Sequence, residues 1–166
     1  ENFGIFASNS IMFNHESPRR GINFVTKKIV RGLCEIKKNK KGILYLGNLD
    51  ARRDWGYAKE YSAMMWKILQ LKKPDDFVIS TKENCSVRKF VEKVGKELDF
   101  QIIWKGKKDK EVGIDKKTKK IIVKIDTEFY RPNDIMSLLG DSSKAKRVLK
   151  WKSKTSLQQL IKIMIK

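Results

Sequence analysis

Short apolar runs alternate with segments of helical periodicity along the whole chain, and this alternation constrains the fold more than any other feature. Phe3 to Asn9 reads as a strand, with Phe3, Ile5 and Ala7 alternating against Gly4, Phe6 and Ser8. Apolar residues on both faces imply burial on both sides, as in a parallel sheet. A polar loop from Asn14 to Gly21, stiffened by Pro18, comes next. Val25, Ile29, Leu33 and Ile36 then recur at helical spacing and predict a helix over 23–38. Ile43-Leu44-Tyr45-Leu46 is a short strand ending at Gly47-Asn48. Tyr57, Tyr61, Met64, Met65 and Ile68 mark a second helix, capped by Asp54 and stopped before Pro74.

The pattern repeats downstream. Phe77-Val78-Ile79 is a strand, and Ser86 caps a helix that carries Val87, Phe90, Val91, Val94 and Leu98 on one face. Gln101 to Trp104 and Ile121 to Ile125 read as strands, with the charged turn Asp115 to Lys120 between them. A short helix follows Asp141 and another follows Thr155, where Thr155 and Gln158 make a capping box. Alternating strands and helices imply an α/β fold. A doubly wound sheet normally opens with a strand, a Gly-rich turn and a helix that receives a pyrophosphate. The chain has no G-x-x-G-x-x-G, so either the α/β fold is of another kind or the nucleotide-binding front half lies elsewhere.

Charge would suggest a different partner. Lys and Arg total 38 against 19 acids, a net charge of +19, which by itself points to nucleic acid. The lysines are spread along the chain, however, in pairs such as Lys37-Lys38, Lys72-Lys73 and Lys116-Lys117, and not in one block. Solvated lysine faces are the expected reading. Cys34 and Cys85 lie far apart and, with the single His15, make a structural zinc site an unsuitable reading. A reducing, cytoplasmic setting fits two isolated thiols. No apolar run approaches the roughly 20 residues needed to cross a bilayer, and no secretory signal pattern opens the chain.

Several blocks carry a resemblance: Phe13-Asn14-His15-Glu16-Ser17-Pro18-Arg19-Arg20-Gly21, Phe24 to Ile29, Leu46-Gly47-Asn48-Leu49-Asp50-Ala51-Arg52-Arg53-Asp54-Trp55-Gly56, Pro74 to Ile79, Glu111 to Asp115 and Leu138 to Asp141. Together they resemble the GDP-mannose 4,6-dehydratases, extended short-chain dehydrogenase/reductases with an N-terminal Rossmann domain and a smaller C-terminal substrate domain. The resemblance implies that residues 1–166 are a C-terminal portion, the last Rossmann elements interleaved with the substrate-binding domain. The family's dinucleotide-binding half, with its Thr/Glu and Tyr-x-x-x-Lys catalytic groups, would lie upstream of Glu1, leaving no catalytic residue in this chain. It also implies NADP as an internal redox cofactor, GDP-mannose as substrate and a homo-oligomeric enzyme.

Residue by residue, the resemblance implies that Asn14 contacts the nucleotide sugar and His15 the cofactor. Arg19 and Arg20 would reach a cofactor phosphate, Arg20 foremost, since guanidinium donors match phosphate oxygens two at a time. Val25 and Lys28 stand where the family contacts guanine. Arg53 and Arg131 would hold the substrate pyrophosphate, and Asp134 a ribose hydroxyl. Asp54 and Trp55 are expected to be structural. Lys27 replaces a usual arginine, Tyr57 a usual histidine, and Met136 a usual carboxylate. Three rival readings remain: a related GDP-sugar reductase or epimerase, a basic nucleic-acid-binding domain, and a non-catalytic remnant that assembles with intact subunits. No aromatic-basic interleaving or zinc pattern supports the nucleic-acid reading.

Overall fold

The computed structural model describes residues 3–130 and 135–166. Its elements run β1 (Ser10–Met12), β2 (Asn14–Glu16), α1 (Val25–Asn39), β3 (Leu44–Leu46), β4 (Arg52–Arg53), β5 (Trp55–Tyr57), α2 (Ala58–Leu69), β6 (Phe77–Ile79), β7 (Cys85–Ser86), α3 (Val87–Glu97), β8 (Ile102–Lys105), β9 (Val112–Asp115), β10 (Ile121–Ile125), α4 (Ser143–Leu149) and α5 (Leu157–Ile165). The α/β class is as expected.

Two buried clusters organise these elements. The larger unites Ile29 and Leu33 of α1, Phe90 and Val94 of α3, Leu160 and Ile161 of α5, and Leu44, Leu46 and Val123 from a sheet ordered β3-β10-β9-β8. The smaller gathers Tyr61, Met64 and Ile68 of α2, Phe77 and Ile79 of β6, and Ala145, Leu149 and Trp151. The chain passes between them repeatedly, so neither is a contiguous stretch of sequence. β1 pairs with β6 in parallel, and after one residue, Phe13, the same strand continues as β2 and pairs in parallel with β5. Asn14 and His15 therefore sit where the strand leaves one partner for another.

Several expectations shift. Residues 3–9 are irregular and the strand lies at Ser10–Met12 instead. Phe3 and Ile5 are exposed, Gly4 turns the backbone at φ 61°, and Ser8 and Asn9 are tied to Asp75 and Asp76. Alternation makes a strand only where a neighbour completes the ladder, and Phe77 meets Ser10 rather than Ile5. The capping box forms one residue later than predicted, between Ser156 and Gln159, because Thr155 gives its hydroxyl to Glu60 at 2.7 Å. β9 was not anticipated. It is short, contains Gly113, and pairs antiparallel with both β8 and β10.

Asp54 caps nothing. The residue before α2 is Tyr57, without a side-chain cap bond, while Asp54 is fully buried. Its carboxylate accepts from Thr81 N at 3.0 Å, Thr81 Oγ1 at 2.6 Å and Lys82 N at 3.1 Å, and from the Gly140 amide. Burial pushes its pKa above the usual carboxylate value, against the pull of those donors. Beside it, Trp55 packs on Phe90 with ring centroids 5.0 Å apart, the anchor expected of it. Gly56 follows, and a Cβ there would lie 2.3 Å from the Tyr61 ring.

Removing the Asp54 acceptor leaves buried amides without partners, at a cost of about 2–3 kcal/mol. Asp54→Ala should lower the unfolding free energy by that amount in urea titrations; a change under ~0.5 kcal/mol would mean that the loops rearrange freely. Gly56→Ala should also destabilise, by roughly 1–3 kcal/mol through overpacking against Tyr61. A Gly56→Ala, Tyr61→Leu double variant should recover part of that loss.

Candidate functional site

A groove of about 1540 Å³ opens along the start of α1, the end of β3, and a short 3₁₀ turn at Thr127–Phe129. Small-molecule clefts commonly fall in the range of about 300–1,000 Å³, so there is room here for a larger, extended ligand. Asn14, Val25, Lys28 and Arg53 all line it, although they come from β2, α1 and β4. Asn48 and Phe129 join them.

Each is placed by local structure. Asn14 pairs with Trp55 in the β2–β5 ladder, which fixes it where the strand changes partner. Val25 opens α1 and Lys28 lies one turn on, so both face the same side. Arg53 is drawn inward by backbone carbonyls: its Nη1 donates to Arg52 O at 2.9 Å and to Ile135 O at 2.5 Å. The Lys28 ammonium sits 3.2 Å above the centroid of the Phe129 ring. Burial lowers its pKa, with the Asp126 charge pulling the other way.

His15, Arg19 and Arg20 do not line the groove. His15 stacks on Tyr61 with centroids 5.2 Å apart, and its Nδ1 lies 2.9 Å from Phe13 O. A carbonyl only accepts, so that contact places a proton on Nδ1, and in the neutral ring Nε2 is then the acceptor. Arg19 is exposed; its amide donates to Ser17 Oγ, and its guanidinium has no partner among the described residues. Arg20 differs. Its Nε lies 3.1 Å from Glu16 Oε2, an ion pair without the alignment of a hydrogen bond, and its guanidinium covers the Phe24 ring at 3.6 Å. Arg131 and Asp134 lie outside the described residues.

Glu16 was missed as a member of this region. It is 1 % exposed, accepts from Thr26 Oγ1 at 2.6 Å, and holds Arg20. Burial pushes its pKa up, while Thr26, Arg20 and His15 oppose that rise. The available signal was Thr26, a polar residue on the buried face that α1 otherwise builds from Ile29, Val30, Leu33 and Ile36. Lys27 donates to Pro18 O at 2.9 Å and so helps to fasten the same loop. Met136 keeps a weak polar contact, with Asn48 Nδ2 3.5 Å from its sulfur.

Comparison with known proteins places the chain. The family model described as GDP-mannose 4,6 dehydratase matches residues 1–164. A GDP-mannose 4,6 dehydratase of Dictyostelium discoideum is 52 % identical over 99 % of the chain, and the human one is 48 % identical over 99 %. The enzyme from Sinorhizobium fredii is 46 % identical over the full chain. The chain spans only 46 %, 44 % and 47 % of the length of these relatives. Among solved structures, RMD from Pseudomonas aeruginosa complexed with NADPH superposes with a TM-score of 0.76 at 13 % identity, covering 99 % of this chain and 48 % of that one. UDP-glucuronic acid 4-epimerase from Bacillus cereus, with UDP-glucuronic acid and NAD, gives 0.73 at 17 % identity, covering 99 % and 45 %. These likenesses show the fold alone, an α/β arrangement that matches under half of each of those chains. By the family model and by identity, the chain belongs to the GDP-mannose 4,6-dehydratase family.

Proposed function

We propose that this chain is the nucleotide-sugar-binding portion of a GDP-mannose 4,6-dehydratase, converting GDP-mannose to GDP-4-keto-6-deoxymannose together with an upstream dinucleotide-binding half. The observation that carries this reading is the convergence of Asn14, Val25, Lys28 and Arg53, from separate elements, on one groove. An apolar wall at Val25 with a donor at Lys28 suits a base. Arg53, with Arg131, supplies fixed cations for a diphosphate. Asn14 meets the sugar, and Asp134 a ribose hydroxyl.

The residues present fit one edge of a nicotinamide cofactor. His15 offers an imidazole oriented within β2 by the Phe13 carbonyl, and Arg19 an exposed guanidinium for a phosphate such as the 2′-phosphate of NADP. Arg20 fits less well as the phosphate ligand, because Glu16 and Phe24 already engage it. Held by His15 and Arg19, NADP would supply the hydride acceptor and donor for an internal oxidation and reduction of the hexose that flanks the loss of water. This chain's part is to bind and orient: the diphosphate is clamped at one end of the groove so that the hexose is held toward the strand ends. The proton-transfer groups come from the upstream half. A homo-oligomeric enzyme in a reducing, cytoplasmic setting completes the reading. Cys34 and Cys85 are unpaired thiols whose pKa values burial raises. Among the described residues no helix is long and apolar enough to cross a membrane.

Calorimetry with GDP-mannose tests the site. In the protein joined to its upstream half, Arg53→Ala and Arg131→Ala should each weaken binding by roughly ten- to a hundredfold, the loss of a charge-assisted contact of about 1.5–3 kcal/mol. Lys72, an exposed lysine, is the control and should change binding little, since charges more than ~10 Å away are largely screened. Equal losses at all three, with affinity for duplex DNA falling steeply with salt, would favour the nucleic-acid reading. The 166-residue chain alone, given GDP-mannose and NADP, should form no 4-keto-6-deoxy product. Robust turnover would overturn the assignment of the chemistry to the upstream half.

A further inference from the structure

Phe129 has no role in the reading above, yet its placement is tightly built. The Thr127–Phe129 turn follows β10 and is fastened to the end of β3 by the Asp126 amide donating to Leu46 O at 2.8 Å. Asp126 caps the turn through its side chain, which accepts from Glu128 N at 3.0 Å. Gly47 makes this docking possible, because a Cβ there would lie 2.4 Å from Phe129 O. The result is an aromatic ring 48 % exposed at the rim of the groove, with the Lys28 ammonium against its face.

An ammonium carries three N–H donors. Among the described residues Lys28 Nζ donates to no protein acceptor, although it is half-buried and lines the groove. Two other lysines, Lys82 and Lys144, are instead paired with carboxylates, those of Asp141 and Asp75. The ring attracts the cation through its quadrupole but accepts none of those N–H groups as a conventional hydrogen bond would. The ammonium is thus held in position with its donors available to a ligand.

We propose that Phe129 is a specificity-determining positioning residue, whose ring holds the Lys28 ammonium where its donors meet the acceptor edge of a guanine base. This rests on the nucleotide-sugar reading and deepens it. Guanine presents two acceptors, O6 and N7, along one edge, whereas adenine presents N7 beside an N6 amino donor. A fixed ammonium satisfies the first pattern and opposes the second. A mobile lysine would find N7 of either base, or the diphosphate, and discriminate poorly. Phe129 therefore converts a charge into a reader of base identity.

Calorimetric titration of the protein joined to its upstream half with GDP and with ADP tests the proposal, using Phe129→Leu, Phe129→Tyr and Lys28→Met beside the wild type. The wild type should prefer GDP. Phe129→Leu keeps apolar bulk without the quadrupole, and should lower GDP affinity about five- to tenfold while leaving ADP affinity unchanged. Lys28→Met should lose the preference as well. Phe129→Tyr keeps the aromatic face and should restore the wild-type ratio, which separates positioning from a defect in folding. Unchanged GDP preference in Phe129→Leu would overturn the proposal while leaving the nucleotide site standing. Equal loss for GDP and ADP would also overturn it, making Phe129 a general packing surface. Failure of the wild type to bind either nucleotide would overturn the nucleotide-sugar reading and this inference with it.

Discussion

The buried carboxylate of Asp54 is the interaction on which the groove depends. It sits between β4, which pairs with β7, and β5, which pairs with β2, so its neighbours belong to two different ladders. By accepting from Thr81, Lys82 and Gly140, it gathers the loop after β6 and the segment before α4 around the β4–β5 link. Arg53 immediately precedes it and Trp55 immediately follows. One is thereby directed to the groove and the other into the larger core against Phe90. A buried acid with no cationic partner is costly unless donors surround it. Here the donors are amides and a hydroxyl of separate loops, so satisfying the charge and assembling the site are the same event.

The second buried acid works differently. Glu16 neutralises Arg20 and takes the Thr26 hydroxyl, joining the Pro18 loop to the first turn of α1. That turn carries Val25 and Lys28, so the loop's conformation and the groove wall are coupled through one carboxylate. An arginine held in this way acts as a strut. Arg19, pointing to solvent, keeps its charge available. Adjacent residues of the same type thus divide into a structural member and a candidate anion contact, and only burial tells them apart.

Much of this was legible in the residues. α1 and α3 fall within a residue or two of the expected ranges because each buries a wide apolar stripe whose period belongs to helix alone. The Ser86 cap holds because its partner amide, Lys89 N, is local. What failed was non-local. Phe3 to Asn9 has the alternation of a strand, but the ladder begins at Ser10, a fact residing in Phe77. Asp54 looked like a cap for want of any sign that Thr81 would approach. Val25, Lys28, Arg53 and Asn14 were singled out by family blocks, and the groove that unites them is set by β3, α1 and the Thr127–Phe129 turn. Phe129 and Glu16 escaped notice because an aromatic at a turn and an acid in a basic loop carry no periodic signal.

The distribution of charge completes the picture. A net charge of +19 suggests a surface whose function is positive potential. Among the described residues, however, many cations are locally committed: Lys37 and Lys117 share Asp99, Arg88 joins Asp50 to Glu111, and Lys120 reaches the carbonyl of Lys40. The exposed Asp99 pairs contribute little to stability and are screened by salt, whereas Arg88 and Glu111 meet part-buried. The cation at Lys28 is the opposite case, partly desolvated and held by a ring instead of a carboxylate. Desolvation strengthens whatever interaction a ligand then makes with it, since the local dielectric is lower than that of water. The excess of lysine elsewhere is therefore compatible with the nucleotide-sugar site proposed above, where Lys28 keeps its donors free of a protein acceptor among the described residues.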